Sequence, residues 1–281
     1  TGNAADTITL TLAADAATTG KGDDKITIPN SVINTGAIDM GAGTDTIHAD
    51  GDAGITGAVT GVEKITIKAN GSMTVDADNA NTFNGVDGFE VVGTSAGAES
   101  FVLQGVASPG AVSVADWSSV VFTNVVPKFV LDNAGDKFTG GSSAEFFEIP
   151  ASSVVQTLTS DTKFAGGLGE DTIDVNTATA VNLSAGVITD VEVVDFMDDA
   201  AITVSQAQAT NFTKFVGIDD EVLTIDPDAS VSAKGNAINT STATFTNVAT
   251  ISTLDHADDT FLLGAGVDTV VIGAALTGDA G

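Results

Sequence analysis

Arginine is absent from this 281-residue chain, and so is cysteine. All nine basic side chains are lysines, set against 38 Asp and Glu for a formal net charge of -29. Phosphate binding needs clustered Lys and Arg, so nucleic acid is excluded as a natural partner. The lack of Arg removes bidentate clamps on phosphate, sulfate and carboxylate, which weakens any kinase, NTPase or uronate-lyase reading. The lack of Cys excludes disulfides, zinc-thiolate sites and thiol catalysis, and suits a chain that works outside the cell. Long apolar runs are missing too. No stretch approaches the ~18 to 20 apolar residues of a membrane helix, and no charged-then-apolar leader opens the chain. Membrane insertion is therefore not expected. The first residue is Thr1 rather than Met, which leads to the expectation of a processed or excised segment.

Aromatic residues make up only 5% of the chain, yet 43% is hydrophobic and there are 31 Gly. A core of small β-branched side chains is thus available. Short alternating runs such as Ile65-Thr66-Ile67 distinguish the sequence from a disordered acidic chain.

Self-similarity organises these runs. Four segments share G-x-G-x-D-[TK]-[IV]: Gly20 to Ile26, Gly41 to Ile47, Gly167 to Ile173 and Gly264 to Val270. With Gly166 in front and Asp174 behind, the third fits all nine positions of the calcium-binding nonapeptide G-G-x-G-x-D-x-U-x, where U is a large apolar residue. Weaker copies keep the register. Asp259-Thr260-Phe261 precedes Asp268 by nine residues, Asp136-Lys137-Phe138 precedes Glu145-Phe146-Phe147 by nine, and Asp6-Thr7-Ile8 precedes Asp24 by 18. A second phrase recurs at Val59 to Ile67, Val86 to Val92 and Ile188 to Val194, each a polar turn followed by a short alternating strand.

The pattern predicts an all-β fold, a parallel β-solenoid of β-helix or β-roll type with irregular coils and calcium-binding Gly/Asp turns. Two segments are expected, 1–125 and 126–281, the second continuing the first. An antiparallel sandwich is the alternative, with hairpins at Asp50-Gly51, Asn70-Gly71 and Asp87-Gly88. Helix is expected for at most a turn or two within Ser205 to Phe215. Phe138, Phe146, Phe164 and Phe261 fall at or near the U position and are expected in core stacks, and Trp117 is expected to be packed rather than to form a sugar platform.

Glycines two apart let the backbone turn its carbonyls inward, with the following Asp on the same side. Calcium takes six to eight such oxygens at roughly 2.3 to 2.6 Å, whereas magnesium keeps its waters. The expected carboxylate ligands are Asp24, Asp45, Asp171 and Asp268, with carbonyls from Gly22, Gly43, Gly169 and Gly266. Asp6, Asp23, Gly166 and Asp259 complete the candidate set. Uptake of Ca2+ also fits a net charge of -29, which repels itself unless cations bind.

These turns resemble the RTX (repeat-in-toxin) calcium-binding proteins, and the alternation of Gly41-Ala42-Gly43-Thr44-Asp45-Thr46-Ile47 with Thr60-Gly61-Val62-Glu63-Lys64-Ile65-Thr66-Ile67 is similar to S-layer proteins and large adhesins exported by type I secretion. The resemblance implies a secreted, cell-surface structural protein of a Gram-negative bacterium, ordered by calcium. It departs from the toxins, whose nonapeptides run in unbroken tandem. Expected partners are copies of itself or continuing repeats of a longer chain, with cell-surface polysaccharide as a further one.

No catalytic role is expected. His48 and His256 are far apart, and Asp198-Asp199 and Asp219-Asp220-Glu221 read as solvated acidic runs rather than a glycosidase pair. A β-helix polysaccharide-active enzyme would want a basic cluster, and the lysines are scattered. Thr7-Ile8-Thr9-Leu10-Thr11 suggests ice binding, but such pairs do not recur at one coil period. A calcium-rigidified adhesin stalk is the alternative to a lattice protein.

Overall fold

The computed structural model describes residues 2–84, 86–94, 99–104, 112–151, 157–197, 200–226, 237–239, 243–254, 260–262 and 268–272. Every strand pair among them is parallel. This overturns the antiparallel alternative. Asp50-Gly51 and Asn70-Gly71 do turn the chain, with φ of 116° at Gly51 and 59° at Asn70, but each delivers it to a different sheet.

In the first half the chain visits three sheets in rotation. Thr7–Thr9, Lys25–Pro29, Thr46–Asp50, Lys64–Ile67, Glu90–Gly93 and Val121–Thr123 lie side by side in a six-stranded sheet. Ala17–Lys21, Ile38–Ala42 and Val59–Thr60 form a three-stranded sheet. Val32–Asn34, Ala53–Ile55, Ser72–Val75, Glu99–Gln104 and Val125–Val130 begin a thirteen-stranded sheet that continues through Phe146–Ile149, Thr172–Asn176, Val193–Met197 and Lys214–Asp226. Val114–Asp116, Lys137–Thr139, Lys163–Ala165 and Val187–Thr189 form a four-stranded sheet facing the later part of it.

Strict alternation drives this. In Lys25-Ile26-Thr27-Ile28, the isoleucines are fully buried while Lys25 is exposed and Thr27 half-buried. Register then stacks like on like: Ile26 beside Ile47, Ile47 beside Ile65, Ile65 beside Val91. Each such side chain contributes about 1.5–3 kcal/mol on burial. Farther along, aromatic rings take over. Phe129 and Phe147 from the thirteen-stranded sheet stack on Phe138 and Phe164 from the four-stranded one at centroid distances of 4.9 and 5.1 Å, with Trp117 4.1 Å from Phe129 and fully buried. The core ring at that level is Phe147. Phe146, expected in a core stack, points outward because it is the first residue of its strand, paired with Thr172, and the U position two residues after the acid Glu145 is Phe147, paired with Ile173.

Helices replace strands at two places. Ala77–Asn84 touches both Val59–Thr60 and Val114–Asp116. Its buried Asn79 does the work of a strand edge: Oδ1 accepts the Val59 N–H at 3.1 Å and Nδ2 donates to the Gly57 carbonyl at 2.9 Å. Asp76 caps it by accepting the Asn79 N–H. Gln206–Ala209, the short helix expected in that region, opens with a Ser205/Gln208 capping box, and Gln208 Nε2 donates to the Leu183 and Gly186 carbonyls.

Candidate functional site

The Gly/Asp turns stack into columns. Asp24 Oδ1 accepts the Asp6 N–H at 2.7 Å, Asp45 Oδ1 accepts the Asp24 N–H at 2.7 Å, and Glu63 Oε2 accepts the Asp45 N–H at 2.7 Å. A second column repeats the device. Asp171 Oδ1 accepts the Glu145 N–H at 2.7 Å and Glu192 Oε2 accepts the Asp171 N–H at 2.9 Å. Each acid precedes the first residue of a strand, so its carboxylate reaches the backbone of the equivalent residue one layer back.

Glycine makes the close stacking possible. Gly169 holds φ 140°, and a Cβ there would overlap the Ser143 carbonyl oxygen of the neighbouring turn. Gly166 has a different role: a Cβ would strike the Asp190 carbonyl oxygen and Asp171 Oδ2, so its bare α-carbon leaves room for the carboxylate. Gly43 stacks its α-carbon against the Gly22 carbonyl, and Gly22 stacks against Ala4.

The columns are buried and acidic. Asp24 is 2% exposed and Asp45, Glu145 and Asp171 are 0% exposed. One oxygen of Asp24, Asp45 and Asp171 and both of Glu145 have no hydrogen-bond partner of regular geometry. Burial raises the Asp45 carboxyl above its ordinary range, with the Asp24, Glu63 and Asp23 charges adding to it and the Asp24 amide opposing. Burial likewise raises Asp171, with Glu192 and Asp190 adding to it. Glu145 is pushed up to about 8, first by burial and then by the adjoining Asp171 carboxylate. No lysine ion-pairs with either column among the described residues.

The expected ligands are thus distributed as follows. Asp6, Asp24 and Asp45 share one column and Asp171 anchors the other. Asp23 is exposed and accepts the Thr44 N–H at 2.9 Å. Asp268 opens the strand Asp268–Ile272 beside Thr250. Asp259 and Gly266 lie outside the described residues. Among the described residues no three acidic or imidazole side chains converge on one point, so a polydentate side-chain cage is not preassembled. The donors present are carboxylate oxygens, backed by turn carbonyls.

Three members were not among the expected ligands, although Glu145 stands in one of the weaker copies of the repeat. Glu63, Glu145 and Glu192 occupy the same structural position as the repeat aspartates, because Lys64 pairs with Thr46, Phe146 with Thr172, and Val193 with Thr172. The signal was an acid two residues before a buried apolar residue, shared by both recurring phrases. Asp136 shows the converse. Nine residues from Glu145, it belongs to the other sheet, where it accepts the Ser113 N–H at 2.7 Å.

Comparison with protein-family models, curated proteins and solved structures finds no match.

Proposed function

We propose that the chain is an extracellular parallel β-solenoid, ordered by calcium, that serves as a self-assembling building block of a bacterial surface layer or filament. The observation that carries this reading is the pair of buried carboxylate columns, whose unpartnered oxygens have no lysine counter-charge among the described residues. A buried carboxylate without a partner is costly, and like charges in one column raise that cost. Hard oxygen donors of this kind suit calcium, and Asp24, Asp45 and Asp171, with Glu63, Glu145 and Glu192 beside them, would hold it. Bound calcium supplies the missing positive charge. Because the columns exist only when successive coils are stacked, binding energy becomes folding energy.

The test is calorimetric titration with calcium beside thermal melting in excess chelator and in millimolar calcium. Saturable binding with a strong rise in melting temperature is expected. Identical melting curves and no binding heat would overturn the calcium half of the reading. Electron microscopy of calcium-loaded protein tests the other half, with ordered sheets or filaments expected and dispersed particles against it.

A further inference from the structure

Two lysines stand side by side on the four-stranded sheet. Val114, Lys137, Lys163 and Val187 are direct neighbours across its four parallel strands, and all four are exposed. The next residue of each strand, Ala115, Phe138, Phe164 and Ile188, is buried, so the outer row is held by the aromatic core. Adjacent strands lie about 4.8 Å apart, and like charges directly opposite each other destabilise a sheet. Among the described residues neither lysine makes an ion pair, whereas Lys64, Lys68, Lys128 and Lys214 all do. In a chain with 38 acids and nine bases, an unpaired basic doublet flanked by exposed valines is a surface arranged for an anion outside it.

The thirteen-stranded sheet carries the complement. Glu148, Asp174 and Asp195 are direct neighbours on three consecutive strands, in the row that starts at Val130. Lys128 serves Glu148 at 2.5 Å and Asp174 at 3.7 Å, while Asp195 has no cation among the described residues and Asp174 Oδ1 has no partner. Glu148 and Asp174 are only 14% and 13% exposed, at the end of a cleft of about 450 Å³ whose apolar lining is Val102, Val126 and Phe146. A short side chain would not reach them. Lysine does, on a flexible apolar stem.

We propose that the Val114–Lys137–Lys163–Val187 row docks onto the Glu148–Asp174–Asp195 row of a second copy of this chain, at the end of that cleft. Both rows cross parallel strands, so the two lysines repeat at the spacing of Asp174 and Asp195 and meet those two acids, while Lys128 keeps Glu148. The two surfaces lie on different sheets of one chain, which makes the contact head-to-tail. Such a contact leaves a free face on each added copy and so propagates beyond a dimer, into a filament or a ring according to the rotation between copies. This deepens the assembly reading above and rests on it.

The test is sedimentation velocity of the full chain in calcium. Wild type is expected to associate, with association falling at high salt. The variant K137E/K163E, altered only at exposed positions, is expected to stay monomeric with an unchanged calcium-dependent rise in melting temperature. Mixing it with D174K/D195K is expected to restore association that neither variant shows alone, circular dichroism confirming that both are folded. Association persisting in K137E/K163E would overturn the docking proposal and leave the assembly reading standing. A wild-type chain that stays monomeric overturns both. If that monomer instead binds beads of an anionic polysaccharide and loses binding in K137E/K163E, the basic row serves a polymer and the second-copy proposal fails.

Discussion

The carboxylate of Asp45 accepts the backbone N–H of Asp24, 21 residues away, at 2.7 Å. One aspartate thereby serves two ends, a rung between layers through Oδ1 and an unpartnered oxygen through Oδ2. The two roles separate by substitution. Asp45→Asn keeps the acceptor and removes the buried charge, so in chelator it is expected to melt at or above wild type while losing calcium stabilisation. Asp45→Ala leaves the Asp24 N–H orphaned and is expected to cost about 1–3 kcal/mol with or without calcium. Melting curves of the three proteins in chelator and in calcium check this.

The second column predicts a pH dependence with a defined sign. Asp171 is raised by burial and Glu145 is pushed from 4.5 to about 8, so the folded chain binds protons more tightly than the unfolded one. Stability in chelator is therefore highest below about pH 4.5 as far as Glu145 is concerned, and falls as pH rises toward about 8. The slope is up to about 1.4 kcal/mol per pH unit for each proton released. Urea unfolding between pH 5 and 8, followed by Trp117 fluorescence, measures it. Glu145→Gln should flatten the dependence, and so should calcium, which competes with the proton.

Gly166 and Gly2 form a matched pair. A Cβ on Gly166 meets the Asp190 carbonyl and Asp171 Oδ2, whereas at Gly2 it meets nothing within 4 Å. Gly166→Ala is expected to destabilise by about 1–3 kcal/mol and to weaken calcium binding, because the displaced carboxylate is a candidate ligand. Gly2→Ala is expected to do neither. Denaturant midpoints and calcium titrations of the two variants decide it.

Asn79 carries the junction between the first helix and its neighbouring strand. Asn79→Ala leaves the Val59 N–H and Gly57 carbonyl without their partner, at about 1–3 kcal/mol for each buried group. Asn79→Asp keeps the acceptor for Val59 but loses the donor to Gly57, and is expected to fall between wild type and Asn79→Ala in urea.

Strands, their short length and the acidic turns were legible from residues alone. Lys25-Ile26-Thr27-Ile28 alternates with a period of two, which commits it to a half-buried strand in any context. The repeated acid before each such strand likewise marked Asp24, Asp45 and Asp171 as one class. Counting two residues from the acid Glu145 reaches Phe147 rather than Phe146, and packing against Phe129 and Phe164 seats that ring in the core. The helix at Ala77–Asn84 was missed because its fit depends on Asn79 reaching backbone groups contributed by residues 57 and 59. The spacing between equivalent strands was illegible for a thermodynamic reason. Loop-closure cost grows only slowly with length, so Thr46 and Lys64 pair as readily across 18 residues as Lys64 and Glu90 do across 26. Local alternation therefore determined what each segment is, while stacking on the layer before decided which segments meet. That is how Glu63 comes to stand beside Asp45, and Lys137 beside Lys163.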